Sequence, residues 1–146
     1  MRGFARRRVF LVLALGLGLV AGQPPLSRAA AVPNREFEAS IDRVWTVTET
    51  VLKGLGWKID RSDRPVGWLL TDPRAVDSKE YAAYGNRLRH KLRISLKRLS
   101  DTRTLVSIER ELYTEERTLW LVERTPVAAA EQAVETGILE AIGRSL

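Results

Sequence analysis

The clearest hydrophobic pattern in the chain runs through residues 37–72. Arg35-Glu36-Phe37-Glu38-Ala39 alternates polar and apolar and reads as a first strand. Apolar side chains then recur at Ile41, Val44, Trp45, Val51, Leu52 and Leu55, with Thr48 filling the gap. That spacing puts one stripe along an amphipathic helix. Ser40 stands where an N-cap hydroxyl can accept from free N–H groups, and Asp42 suits the positive end of the helix dipole. Gly56 predicts a left-handed C-cap, with Gly54 loosening the end. Trp57-Lys58-Ile59-Asp60-Arg61 alternates as a second strand. Ser62-Asp63-Arg64-Pro65-Val66-Gly67 has turn composition, Trp68-Leu69-Leu70-Thr71 returns as its partner, and Asp72-Pro73 closes it.

Residues 73–86 are the least regular part and read as a loop with one helical turn near 79–84. Residues 87–99 and 103–113 predict a long hairpin around Ser100-Asp101-Thr102. Leu88, His90, Leu92, Ile94 and Leu96 share one face of its first strand, and Arg87, Arg89, Lys91, Arg93 and Lys97 take the other. Val106, Ile108, Arg110 and Leu112 share a face of the second strand. A turn centred on Asp101 sets Ile94 opposite Ile108 and Leu96 opposite Val106 on the buried face. It also sets Arg93 opposite Glu109 and Lys91 opposite Glu111 on the polar face, so both faces are satisfied by one register. Glu115-Glu116-Arg117 reads as a turn and residues 118–122 as a short last strand. Thr125 as N-cap and Pro126 at the first position predict a helix that runs to about Ser145, with Val127, Ala130, Val134, Ile138, Ala141 and Ile142 at helical spacing. The expected fold is α+β: a mostly antiparallel five- to six-stranded sheet with two helices packed on one face, in the order β-α-β-β-β-β-(β)-α.

The first 31 residues stand apart. Arg2, Arg6, Arg7 and Arg8 precede an apolar run over residues 9–20, and Ala29-Ala30-Ala31 follows. That run is shorter than the span of about 20 residues that crosses a bilayer, and the pattern is that of an export signal cleaved after Ala31. Residues 32–146 then form a single domain, with a retained N-terminal anchor as the other reading. Arg7-Arg8-Val9-Phe10-Leu11 resembles the twin-arginine export motif, which leaves that route open beside the general secretory one. The leader also explains the charge: the whole chain is +6, but the leader holds five arginines and no acidic residue, leaving net +1 beyond it. A basic pI of this origin does not point to nucleic acid. The absence of cysteine removes disulfides, thiolate metal sites and a cysteine nucleophile.

No set of residues assembles a catalytic constellation. His90 is the only histidine and falls on an apolar strand face, where a core role is expected. Glu109 and Glu111 share a face, but the cross-strand Arg93 and Lys91 account for them as ion pairs. Neither a usual zinc ligand set nor a calcium-loop pattern is present, and no glycine-rich phosphate loop occurs. No cofactor and no metal site are expected. The strongest charge feature is the basic ladder Arg87, Arg89, Lys91, Arg93, Lys97 and Arg98.

The run Val44-Trp45, Leu52, Gly56-Trp57-Lys58-Ile59-Asp60 and Gly67-Trp68-Leu69-Leu70-Thr71-Asp72 resembles the repeated domain of the BamC (NlpB/DapX) lipoprotein family. The chain differs from that family in having no lipobox cysteine and one such domain where the family has two. The resemblance implies a compact α+β domain in the periplasm or at the outer membrane, as a non-enzymatic accessory of outer-membrane protein assembly. An adaptor of that kind would bind an envelope protein. Tyr81 and Tyr84 in the 73–86 loop and Arg89, Lys91 and Arg93 on the basic strand face are the candidate partner-binding residues; peripheral membrane contact is compatible with the same basic face. The alternative is a helix-grip domain holding a small apolar ligand between sheet and terminal helix, with Ala128, Ala129, Ala130 and Ala133 leaving the necessary space.

Overall fold

A computed structural model of the chain describes residues 31–146, which form one compact unit. The expected export signal lies outside the described residues, apart from Ala31. Seven strands and two α-helices follow in the order β1 (Asn34–Phe37), α1 (Ile41–Gly54), β2 (Ile59–Asp63), β3 (Trp68–Thr71), β4 (Arg74–Ala75), β5 (Leu88–Ser100), β6 (Arg103–Arg117), β7 (Val122–Val127) and α2 (Ala133–Ser145). A kinked 3-10 segment, Lys79–Arg87, joins β4 to β5. The sheet is antiparallel throughout, with order β1-β6-β5-β3-β2; β4 continues along β5, and β7 along β6. This is the α+β architecture that the hydrophobic pattern predicts, with more strands than the five or six expected.

The β5–β6 hairpin has the predicted register. Ile94 pairs with Ile108, Leu96 with Val106, Lys91 with Glu111 and Arg93 with Glu109. Its even-numbered side chains face both helices, and Leu92, Ile94 and Ile108 share one core with Val44, Trp45 and Leu52 of α1 and with Ile138 and Ile142 of α2. Each such side chain contributes roughly 1.5–3 kcal/mol when taken out of water.

The ends of α1 illustrate how local signals are used. Ser40 occupies the N-cap position in extended conformation, but its hydroxyl makes no capping bond; its carbonyl accepts from Val44 N–H at 3.0 Å. The C-terminus is a Schellman turn. Gly56, at φ 80°, donates to Lys53 C=O, and Trp57 donates to Leu52 C=O at 2.9 Å. Leu52 and Trp57 are both buried in the core, which supplies the apolar contact this turn favours.

The C-terminal third differs from expectation. Glu115-Glu116-Arg117 is not a turn but the end of β6. The turn falls at 118–121, and the last strand is β7 rather than residues 118–122. Thr125 and Pro126 lie inside that strand, paired with Thr114 and Tyr113, so neither starts a helix. Cross-strand pairing, a non-local interaction, overrides the local capping signal, and proline is tolerated because β7 is an edge strand with no neighbour on its other side among the described residues. α2 begins at Ala133.

Gly67 closes the β2–β3 turn at φ 88°, and its carbonyl accepts from Leu96 N–H at 2.7 Å. A Cβ there would stand 2.4 Å from Leu96 C=O, a backbone atom that cannot give way. Gly67→Ala is therefore expected to destabilise the fold by about 2 kcal/mol or more, read as a lower urea midpoint at unchanged slope. A substitution that leaves the midpoint in place would contradict this account of the turn.

Candidate functional site

The helices cover one face of the sheet and leave the other open. On that open face β5 presents Arg89, Lys91, Arg93 and Ser95, because successive strand side chains alternate and the even-numbered set is committed to the core. β3 adds Trp68 and Leu70, which pair with Ser95 and Arg93 and are only half-buried, while Leu69 and Thr71 point inward. β2 adds the exposed Arg61, opposite Leu70. These side chains line two shallow adjoining hollows. One of 480 Å³ lies among Arg61, Leu70, Lys91, Arg93, Glu109 and Glu111; the other, of 330 Å³, is bounded by Arg61, Trp68, Leu70, Arg93 and Ser95. Trp68 also borders a larger open groove of 790 Å³ between the start of α1, the β2–β3 turn and the end of β5, where Val66 is exposed.

Charge on this face is only partly balanced. Lys91 Nζ lies 3.1 Å from Glu111 Oε2. Arg93 stands opposite Glu109 in the register but forms no ion pair among the described residues, and neither does Arg89. The apolar pair Trp68 and Leu70 thus sits beside Arg61, Lys91 and Arg93, with Glu109 and Glu111 lining the same hollow and Arg61 paired to Asp60 at 3.3 Å. The sequence pattern contained the signal for that pair: Trp-Leu-Leu-Thr is apolar at both parities, so one face of β3 had to carry apolar surface away from the core.

The two tyrosines part company. Tyr81 is buried with Leu88 and Leu112 on the helix side of the sheet, and its hydroxyl accepts from Ala130 N–H at 2.8 Å. It anchors the 3-10 segment and is not a surface contact, which corrects the expectation that it faces a partner. Tyr84 is exposed. The basic residues Arg89, Lys91 and Arg93 are brought together on the open face, away from Tyr81.

Beneath α2 lies a buried polar cluster that the sequence pattern did not reveal. Arg110 belongs to the inward face of β6, and its side chain is 1% exposed. Its guanidinium bonds Glu131 Oε1 at 2.9 Å and the Glu131 carbonyl at 2.5 Å, and its Nε lies 3.3 Å from Glu135 Oε1. Glu131 also accepts from Ala133 N–H, so the same carboxylate holds Arg110 and caps α2. Burial pushes the Glu131 carboxyl up, but the bonds from Arg110 and Ala133 outweigh it and hold the group below its ordinary range. For the deeper Glu135, burial wins over Arg110 and the carboxyl is pushed up. His90 lies in the same layer, 4.8 Å from the Trp57 ring centroid, with no hydrogen-bond partner at either nitrogen. Burial, with the cations Arg74 and Arg110 nearby, lowers its pKa to about 4. It is a core residue with no reach to solvent. The helix-grip reading needs open space here, but Arg110 occupies it, and Ala128, Ala129, Ala130 and Ala133 are all exposed on the outside.

Among the described residues no three His, Asp or Glu side chains converge on a point where a metal ion could sit. No protein-family model matches the chain, and no curated protein matches it either.

Two outcomes follow from the buried cluster. Arg110→Ala leaves Glu135 buried without its counter-charge and is expected to cost about 3–5 kcal/mol in chemical denaturation, whereas Arg110→Met combined with Glu135→Leu recovers most of that loss. A single variant as stable as the parent would remove the cluster's structural role. His90 gives a pH dependence. Its imidazole takes up a proton near 6.5 in the unfolded chain and only near 4 in the folded one, so the unfolded state binds more protons between those values. The His90 contribution is fully present above about 6.5 and is lost as pH falls toward about 4. Stability measured against pH is expected to fall more steeply over that window in the parent than in His90→Gln; parallel curves would show that His90 does not titrate as argued.

Proposed function

We propose that this chain is a non-enzymatic binding or adaptor module of the cell envelope, an accessory to outer-membrane protein assembly, and that it engages its partner through the open face of the sheet. The observation that carries the reading is the arrangement of Trp68 and Leu70 on that face with Arg61, Lys91 and Arg93 beside them, Glu109 and Glu111 at the edge of the same hollow, and Arg89 further along β5. Protein interfaces concentrate binding energy in a few central aromatic and arginine side chains inside a polar rim. The excess of cations selects a partner segment that is acidic and carries an apolar side chain for the centre. The export pattern at the N-terminus and the resemblance of residues 37–72 to the BamC lipoprotein domain support the envelope setting. The buried position of His90, the only histidine, supports a binding role over a catalytic one.

A photo-crosslinking residue at Ser95, at the edge of the apolar centre, is expected to capture outer-membrane barrel proteins or their assembly factors in cells. Replacing Arg89, Lys91 and Arg93 together by serine is expected to weaken that partner about tenfold or more and to flatten the salt dependence of binding. Unchanged affinity and salt response in the triple variant would overturn the assignment of this face.

A further inference from the structure

The apex of the β6–β7 hairpin is a second surface with a different chemistry. The last strand pair on β5 and β6 at this end is Leu88 with Thr114, so beyond it β6 and β7 continue as a two-stranded ribbon with no third strand among the described residues. Its tip carries four successive apolar residues in water: Leu119 is 89% exposed, Trp120 91%, Leu121 62% and Val122 45%. A contiguous apolar apex of this kind marks contact with a membrane or another protein.

Three features favour a bilayer. The apex is convex and offers no hydrogen-bonding side chain except the Trp120 indole N–H, whereas protein interfaces carry about one hydrogen bond per 100–200 Å². An amphipathic indole suits the boundary between headgroups and acyl chains. The turn also closes part of its polar backbone: Thr118 N–H donates to Leu121 C=O at 2.9 Å, and Leu121 N–H donates to Thr118 Oγ1 at 3.2 Å, while the backbone groups of Leu119 and Trp120 have no partner among the described residues. Both polar backbone groups of Leu121 therefore have partners before the tip leaves water, which lowers the cost of entering an apolar medium. Below the tip the charges neutralise one another. Arg117 and Arg124 lie 3.3 and 3.2 Å from Glu115, and Arg87 lies 2.5 Å from Glu116.

We propose that Leu119, Trp120, Leu121 and Val122 form a membrane-inserting tip that enters the interfacial layer of a zwitterionic bilayer and holds the domain there by apolar burial rather than by charge. The anchor is independent of the open sheet face. A single shallow apolar insertion gives weak, reversible attachment, suited to orienting a protein that is also held by a partner.

The chain has no cysteine, so Leu119→Cys in the 31–146 unit, which contains both α-helices, all seven described strands and the buried residues between them, takes one environment-sensitive dye at the tip. Titration with phosphatidylcholine vesicles is expected to give a saturable blue shift that is the same at low and high salt. Leu119→Ser combined with Trp120→Ser alters only exposed side chains; it is expected to melt like the parent and to sediment with vesicles about tenfold more weakly or worse. The Arg89, Lys91 and Arg93 triple serine variant is expected to keep vesicle binding, which separates this proposal from that for the sheet face. The proposal is overturned by no shift with vesicles, by a shift that requires anionic lipid and vanishes in salt, or by a concentration-dependent shift without lipid, which would make the tip a contact between copies.

Discussion

The constraint on which the molecule depends is the two-residue alternation of the β5–β6 hairpin. One register brings Ile94 to Ile108 and Leu96 to Val106, and it simultaneously brings Lys91 to Glu111. A slip of one residue would turn Ile94, Leu96, Val106 and Ile108 toward water and Lys91, Arg93, Glu109 and Glu111 toward the helices, so the register is held from both faces. The core under α1 and α2 follows from the even-numbered side chains. The open face, with its basic rim, follows from the odd-numbered ones. The packed core and the proposed binding face are thus opposite sides of one ladder.

The buried Arg110 is the exception within that ladder, and it ties the C-terminus down. A guanidinium on the core face of a strand is tolerable only when carboxylates meet it, because leaving one such charge unpaired is among the costlier defects in a fold. Glu131 meets it from just before α2 and Glu135 from the first turn of the helix, and Glu131 in turn accepts from the first residue of the helix. Helix start and ion cluster are therefore one structure. The same layer holds His90 uncharged against Trp57, between the cations Arg74 and Arg110. The only histidine of the chain is thereby a buried packing residue.

Two surfaces of different character emerge at separate places. The open sheet face combines half-buried Trp68 and Leu70 with Arg89 and Arg93, which form no ion pair among the described residues, and is the face proposed to meet an acidic protein segment. The hairpin apex combines exposed apolar side chains with a collar of mutually paired charges, which suits a medium without fixed charge. An accessory that bound an envelope protein with the first and touched a membrane with the second would be oriented by both at once.

Where short-range physics decides, residue order alone was enough. The stripe from Ile41 to Leu52, the left-handed Gly56, the β2–β3 turn and the β5–β6 register are set by periods of 3.6 and 2 and by residues at hand, so they are legible in the chain. Arg89, Lys91 and Arg93 were legible as a basic face for the same reason. The rest depended on partners distant in sequence. Thr125-Pro126 has the form of a helix start, but pairing with Tyr113 and Thr114 draws it into β7 and moves the apolar residues 119–122 to an exposed tip. Tyr81 reads as a loop residue until Leu88 and Leu112 close over it. Arg110 reads as one more inward position until α2 brings two carboxylates to it across more than twenty residues. By itself the sequence determined the α+β class, the first helix and the central register, because those contacts are local or periodic. Only the tertiary structure decided which charge is buried, which apolar residues face water and where the last helix begins, because each of these depends on what a distant segment leaves uncovered.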